Sequence, residues 1–434
     1  ISDPDMISLI SLYLVDYFLW TGNMERADLI VEKTAKAIGN KCDSPMTIIA
    51  AKLTEALSHW YHGRLQPCMT AVSEGLRIAE TKGVNVFNYF LYGHGAIGLL
   101  TGGDIKNAEK YLKQMASVLD NNKRLCASYY HHVVACSRLL KKDLSGALEH
   151  EEESLTLAIK VGSPFGEAMS RTGLALLHHE LDERKKAALE IVNARELAIK
   201  TGSALVEFVS YIFEAYFDLA NGDRKRAVQN LKVALSLGSK RGFVNFHMWS
   251  QDIMARLCLL ALNEGVEEDY VRRLIVERGI FPEKPPLEAQ NWPWRIKIYT
   301  LGRFQIIKDG EPLKFSKKAP RKMIDLLKLI IVLGGKNVPE CKILDILWED
   351  ADGDAAHASF TTILKRLRLL FGFDDAIVLR NGCITLNPHY CWVDVAAFEH
   401  LVQLAEARSD ACQARGGETT LSLWQVARRA GSRA

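Results

Sequence analysis

The side chains with the most legible chemistry fall between residues 317 and 381. Thr361, Thr362, Lys365 and Arg366 belong to a helix expected over 355–371. At 100° per residue Phe360, Leu364, Leu367 and Phe371 form one narrow apolar stripe, which must face a core. Ala358, Thr362, Lys365, Arg366 and Leu369 lie opposite. Small, hydroxyl-bearing and cationic side chains on an exposed helix suit a DNA groove: Arg or Lys reads guanine edges, and Thr meets a thymine methyl or a phosphate. Leu369 has no such role. Arg368 lies toward the side of the helix, where a structural ion pair and a phosphate contact are equal alternatives. Lys317, Lys318, Arg321 and Lys322 cluster at the start of an earlier helix and suit phosphates, and Arg380 and Asn381 sit at a hairpin tip.

Other suggestive strings have plainer explanations. Gly93-His-Gly-Ala-Ile-Gly98 matches a dinucleotide-binding pattern, but no strand precedes it, so it reads as close helix packing. His150-Glu151 begins a zinc-protease string, yet Ser154 stands where the second His belongs, and Glu151–Glu153 reads as a solvated face. His131-His132 and His178-His179 have no identifiable carboxylate partner and read as packing or surface residues. Gly334-Gly335-Lys336 lacks the earlier glycine of a phosphate-binding loop. No nucleophile–base pair, carboxylate dyad or metal cluster stands at usable spacing, so neither an enzyme nor a cofactor or metal is expected.

Composition sets the frame for these residues. A chain of 434 residues exceeds what one core usually serves, so two or more domains are expected. With 48% hydrophobic and 25% charged residues it resembles soluble globular proteins, and no apolar run approaches the roughly 20 residues of a membrane span. Nine scattered cysteines without a Cys-x-x-Cys pair suit a reducing cytoplasm. The chain starts at Ile1 without a visible signal peptide and reads as part of a longer protein. The net charge of +3 is uneven: residues 295–395 hold 16 Lys and Arg against 12 Asp and Glu, whereas residues 1–294 hold 34 against 36. An anionic partner is therefore expected on the C-terminal part.

A tract of Gly or a substitute, then a polar residue, then Ala or Cys four further on, recurs at Gly22-Asn23…Ala27, Gly63-Arg64…Cys68, Gly103-Asp104…Ala108, Lys142-Asp143…Ala147, Asp182-Glu183…Ala187 and Gly222-Asp223…Ala227. The steps are 41, 40, 39, 40 and 40 residues. Most units close on an Ala-containing stretch ending in Gly, at Gly39, Gly83, Gly162 and Gly202, where glycine can end a helix in the left-handed conformation. Each unit is thus two helices, the first rich in aromatics such as Tyr13, Tyr17, Trp20, Trp60, Tyr61 and Tyr216 that read as core. These residues resemble the tetratricopeptide-like superhelix of MalT-type regulators, whose period exceeds the commonest repeat of about 34 residues. The resemblance covers residues 1 to about 262, with a degenerate seventh unit near 263–280. It implies an effector or partner protein on the concave face and a nucleotide-hydrolysing switch domain before Ile1.

Residues 281–294 hold four of the twelve prolines and read as a linker. Beyond it the pattern alternates through Ile296, Ile298, Phe304 and Ile306, with Asp309-Gly310 as a hairpin turn. Helices follow over about 321–334, 340–347 and 355–371, then a hairpin around Asn381-Gly382 and a closing strand at Trp392–Asp394. This order is that of a winged helix, in which Arg380 and Asn381 would reach a minor groove. Leu301-Gly-Arg-Phe304, Ile346-Leu-Trp348, Leu364-Lys-Arg-Leu-Arg368 and Val393-Asp394…Phe398 resemble the OmpR-type DNA-binding domain of the SARP activator family. That family continues into a bacterial transcriptional activator helical domain much longer than the residues left here. Residues 396–434 would hold only its start, with a flexible tail and a short helix near 421–429.

The expected architecture is mainly α: a solenoid of about 40-residue helix pairs over 1–280, a linker over 281–294, a small α+β winged-helix domain over 295–395, and a truncated helical segment over 396–434. The expected function is that of a cytoplasmic bacterial transcription regulator, its repeats taking an effector or protein and its winged helix taking double-stranded promoter DNA, with RNA polymerase as a further partner and no membrane. The alternative is a protein-interaction scaffold whose basic domain docks protein.

Overall fold

The computed structural model describes residues 4–38, 44–120, 122–313 and 321–413, with side chains from residue 6 to residue 407 within them. These residues fall into two compact units divided after Ile280.

In the first unit the chain forms seven helix pairs: α1 (Pro4–Thr21) with α2 (Met24–Ile38), α3 (Pro45–Tyr61) with α4 (Leu65–Lys82), α5 (Asn88–Thr101) with α6 (Ile105–Ser117), α7 (Arg124–Leu140) with α8 (Leu144–Val161), α9 (Pro164–Glu180) with α10 (Arg184–Thr201), α11 (Ala204–Ala220) with α12 (Arg224–Arg241), and α13 (Gln251–Asn263) with α14 (Glu268–Arg278). The recurring tract is the turn inside each of the first six pairs. Gly22, Gly63, Gly103, Lys142, Asp182 and Gly222 all take a φ between 59° and 84°. The next residue opens the second helix, and Asp104, Asp143 and Asp223 accept a backbone N–H there as side-chain caps. Four residues further on, Ala27, Cys68, Ala108, Ala147, Ala187 and Ala227 are at most 1% exposed, since only a small side chain fits where the paired helices approach. Gly83, Gly162, Gly202 and Gly242 end the second helices in the left-handed conformation, while Gly39 lies outside the described residues.

The seventh unit departs from expectation. It is a full pair rather than a degenerate remnant over 263–280, and it begins only after residues 243–250 have left the helical path. The array also curls far enough to meet itself. Ser203 Oγ donates to the Trp20 carbonyl at 2.9 Å, and the Trp20 ring stands 4.1 Å from Phe165, so the first pair touches the fifth and sixth. Most of the aromatics are core, as Trp60, Tyr61 and Tyr216 show, but Tyr13 and Tyr17 are exposed.

The second unit is a small α+β body. Strands β1 (Ile296–Tyr299), β2 (Gln305–Lys308) and β3 (Glu311–Pro312) lead to α15 (Arg321–Val332), β4 (Val338–Pro339), α16 (Glu340–Leu347) and α17 (Gly353–Phe371). The hairpin β5 (Ile377–Arg380) and β6 (Cys383–Leu386), then β7 (Cys391–Val393) and α18 (Asp394–Gln413), complete it. One sheet has the order β3-β2-β1-β7 with β7 parallel to β1, and the other has the order β4-β6-β5. The core joins Ile296, Ile298 and Ile306 to Leu326, Leu327 and Ile330 of α15 and to Phe360, Leu364, Leu367 and Phe371 of α17.

The prolines over 281–294 exclude helix, but the segment is not a loose tether. Ala289, Trp292 and Trp294 are buried, and Trp392 Nε1 donates to the Leu287 carbonyl at 2.8 Å. At the other end, Asp394 accepts from the Thr300 amide, Thr300 Oγ1 and the Leu301 amide at 2.6–2.8 Å while starting α18. The helix near 421–429 and the tail fall outside the described residues, which end at residue 413. Among the described residues no helix is long and apolar enough to cross a membrane.

Because Phe360 is fully buried 6.3 Å from the Trp348 ring, Phe360→Ala is expected to cost about 3–5 kcal/mol. Urea unfolding of the full chain, with hydrogen exchange of the α15–α17 amides to localise the loss, checks this; a cost below about 1 kcal/mol would show that α17 does not organise this core.

Candidate nucleic-acid interface and repeat channel

The α17 helix owes its position to its apolar stripe. Ala356, Phe360, Leu364, Leu367 and Phe371 are buried, and this fixes which side chains face outward. Thr361, Thr362, Lys365, Arg366 and Leu369 are exposed. Among the described residues neither Lys365 nor Arg366 has an ion-pair partner, so both guanidinium and ammonium are available to an anion. Thr362 Oγ1 donates to the Ala358 carbonyl at 2.9 Å. Its proton is spent, so outward it offers a methyl and an oxygen lone pair, which suits a thymine methyl better than a phosphate oxygen. Arg368 Nε donates to the Ile377 carbonyl at 2.9 Å, bracing the start of β5, a bond that uses one of the five guanidinium N–H donors.

The supporting residues separate. Lys317 and Lys318 lie outside the described residues. Arg321 and Lys322 open α15 and are exposed, with Lys322 Nζ 5.2 Å from the Trp348 ring centroid. Arg380 and Asn381 are exposed at the β5–β6 tip, where Asn381 (φ 51°) and Gly382 (φ 70°) make the tight turn. Unanticipated on this side is His357, exposed near the start of α17 and bonded through Nδ1 to Glu340 of α16 at 2.6 Å.

In the first unit a second group of residues has chemistry that the sequence concealed. Glu151, read as solvated, is fully buried and bonds His132 Nδ1 at 2.8 Å. His132 Nε2 meets His247 Nδ1 at 3.2 Å, and Cys136 Sγ lies 3.7 Å from the same nitrogen. Space for the carboxylate comes from Gly173, where a Cβ would stand 2.6 Å from Glu151 Oε1. Burial opposes charge on His132, yet the Glu151 carboxylate and the Cys136 sulfur hold its pKa well above the usual imidazole value. Burial raises Glu151 as well, against the pull of His132. The carboxylate beside Nδ1 favours the imidazolium form of His132, which would donate from Nδ1 to Glu151 and from Nε2 to His247. His247 then stays neutral, its pKa pushed well below normal by burial and by His132 and His94. Cys136, His132 and Glu151 have the order of a nucleophile, a base and an orienting carboxylate, but Cys136 is 4% exposed and packed on Met248, so no substrate reaches it in this arrangement.

Two further groups line this interior. Burial pushes His94 down to about 4 and Asp16 up to about 6. The Gly93–Gly98 string lies within α5 and serves packing, since Cβ atoms on Gly93 and Gly95 would stand 2.7 Å from Tyr129 and 2.5 Å from Tyr111. His178 also has a carboxylate partner, Glu183, at 2.6 Å. Among the described residues no group of three or more His, Cys, Asp or Glu side chains is arranged to hold a metal ion.

No protein-family model and no curated protein matches the chain. Among solved structures it is similar to a Rap protein complexed with competence and sporulation factor, at 13% identity and a TM-score of 0.46 over 99% of this chain and 98% of that one. It is also similar to the apo form of RapI, at 11% identity and a TM-score of 0.40 over 98% and 96%. A third is a signal transduction ATPase with numerous domains and a tetratricopeptide repeat sensor from Pyrococcus horikoshii, at 16% identity and a TM-score of 0.41 over 64% of this chain and 42% of that one. With every TM-score below 0.5, the repeat architecture stands on this chain's own turns and helix pairs.

Asp16 gives the interior a pH signature. A carboxyl whose folded pKa is raised contributes fully below its unfolded value near 3.8 and loses that contribution as pH rises through about 6. Asp16→Asn, which mimics the neutral acid, is expected to leave stability unchanged near pH 4 and to raise it by about 2 kcal/mol at pH 8, a figure discounted for partial exposure. Urea unfolding across pH 4–8 reads this directly, and a difference that stays constant with pH would contradict it.

Proposed function

We propose that the chain is part of a bacterial transcription regulator in which the second unit is a winged helix that binds promoter DNA and the repeat array takes an effector or partner protein. The observation that carries this reading is the exposed face of α17: Thr361, Thr362, Lys365 and Arg366 point away from a core that the opposite stripe fixes. An Arg and a Lys without ion-pair partners on a projecting helix suit guanine edges, and a Thr presenting a methyl suits thymine. The β5–β6 tip with Arg380 and Asn381 fits a minor groove, and Arg321 and Lys322, with Lys317 and Lys318, fit phosphates. Arg368 supports the hairpin through Nε, and its Nη groups fit a phosphate at the flank of the helix. The net +4 of residues 295–395 is modest, so a single copy binds weakly and repeated half-sites add affinity. The reading assigns no catalysis and includes the cytoplasm as the compartment and RNA polymerase as a partner.

One observation favours the second reading, a scaffold that docks protein. Leu369 is 68% exposed on the proposed DNA-facing side, and Val332 and Ile346 are 80% and 55% exposed elsewhere on this unit. Apolar side chains are poor groove ligands except against thymine methyls.

Binding of the full chain to a duplex obtained by selection from random sequence, and to a mixed-sequence duplex, separates the readings when measured at several salt concentrations. Arg366→Ala is expected to weaken the selected duplex by about tenfold or more with little effect on the mixed one, at roughly 1–3 kcal/mol per lost base contact. Lys318→Ala is expected to weaken both and flatten the salt slope by about one. Wild-type chain without salt-dependent affinity for either duplex would remove the DNA assignment.

A further inference from the structure

Residues 243–250 run through the interior of the repeat array and meet every one of the first six pairs along the way. The Phe243 ring stands 2.8 Å from where a Cβ on Gly22 would sit, at the end of α1. Asn245 Nδ2 donates to the Trp60 carbonyl of α3 at 2.7 Å. His247 packs 4.6 Å from the Trp60 ring, bonds His132 of α7, and feels the charge of His94 on α5. Met248 Sδ lies 3.6 Å from Cys136 of α7, and its methyl would be 2.9 Å from a Cβ on Gly173 of α9. Phe243 and Phe246 pack on Phe208 and Phe213 of α11. The segment therefore occupies the channel that the inner helices enclose.

Its attachment is unlike that of the helices around it. It belongs to neither helix nor strand, so side chains supply most of its anchors. Met248 takes φ 61°, a conformation that L residues adopt at a cost of about 1–2 kcal/mol. Buried polar atoms without a protein partner concentrate on and around it: Asn245 Oδ1 and Trp249 Nε1 within it, and Tyr129 OH, Glu151 Oε2 and Arg278 Nε beside it. Arg278 lies 4.3 Å from the Trp249 ring centroid, and its pKa is pushed down to about 10 by burial. With no helix or strand hydrogen bonds of its own and a left-handed Met248, the segment is held less tightly than its burial suggests. Next to it a cavity of mixed character, lined by Leu100, Leu139, Met248 and Trp249 together with Glu180 and Arg256, leaves room for movement.

We propose that residues 243–250 form a strap that closes the channel from within and withdraws without unfolding the helix pairs, so that a ligand reaches the inner faces only from the opened state. This is independent of whether the second unit binds DNA, because every contact involved lies in residues 1–280. The strap is anchored at its ends by Gly242, which caps α12, and by Ser250, which caps α13, so opening leaves both helices in place.

Two measurements on the full chain test it. In the wild type, amides of 244–249 should exchange with deuterium about a hundredfold or more faster than the core amides of α9 and α11, as sub-global opening requires. In the same chain, iodoacetamide should modify Cys136 faster than Cys258, though both are buried, because Cys136 lies directly against Met248 of the strap. His247→Ala should accelerate both signals about tenfold while leaving α9 and α11 unchanged, and a fluorescein-labelled peptide Phe-Val-Asn-Phe-His-Met-Trp-Ser should bind that variant about tenfold or more tightly than wild type, which corresponds to about 1.4 kcal/mol. Exchange of 244–249 at the same rate as α11, equal modification of Cys136 and Cys258, or equal peptide affinity for the two chains would each overturn the strap.

Discussion

The geometry of the first unit rests on the close approach of two helices at each turn. A left-handed residue reverses the chain, and a small side chain five positions later lets the second helix lie against the first. That constraint sets the register of everything between the turns. His131 meets His150, His132 meets Glu151, Arg171 meets Glu190, and Arg195 meets Glu214, and each pair is separated by 19 residues. Polar partners thus face each other on neighbouring helices at about half the repeat period. The buried serines Ser128, Ser154 and Ser170 join α7, α8 and α9 where the backbones come near.

What the sequence disclosed follows from this distinction between local and distant partners. The turns were legible because they recur at a fixed period, and the α17 stripe was legible because helix geometry alone decides which residues share a face. Glu151 was misread because its neighbours Glu152 and Glu153 are indeed exposed, so that composition pointed outward while its partner lay on the preceding helix. The 19-residue spacing to His132 was the available signal. Nothing comparable announced His247, whose bond to His132 spans 115 residues and lies in a segment without periodicity. The same holds for residues 281–294, where prolines spoke of broken helix but said nothing of where Trp292 and Trp294 would be buried.

Charge is managed differently in the two units. Many repeat cations are neutralised locally: Arg171 lies between Glu167 and Glu190, Lys52 between Glu55 and Glu74, and Arg226 near Glu214 and Asp218. Such exposed or half-exposed pairs add little stability, but they leave no concentrated field. On α17 Lys365 and Arg366 face outward without an ion-pair partner among the described residues, while Glu340 of α16 is bonded to His357. The arrangement preserves an uncompensated positive edge at the cost of some self-repulsion between Lys365 and Arg366.

The Asp394 carboxylate ties together positions 94 residues apart, gripping the turn after β1 while it begins α18. A helix held by its first residue behaves like a spoke set at its hub: rolling it about its axis breaks a charged grip as well as the packing of Val395, Ala396 and Ala397. The heading with which α18 leaves β7 is therefore coupled to the loop between β1 and β2, and a shift of one is felt by the other.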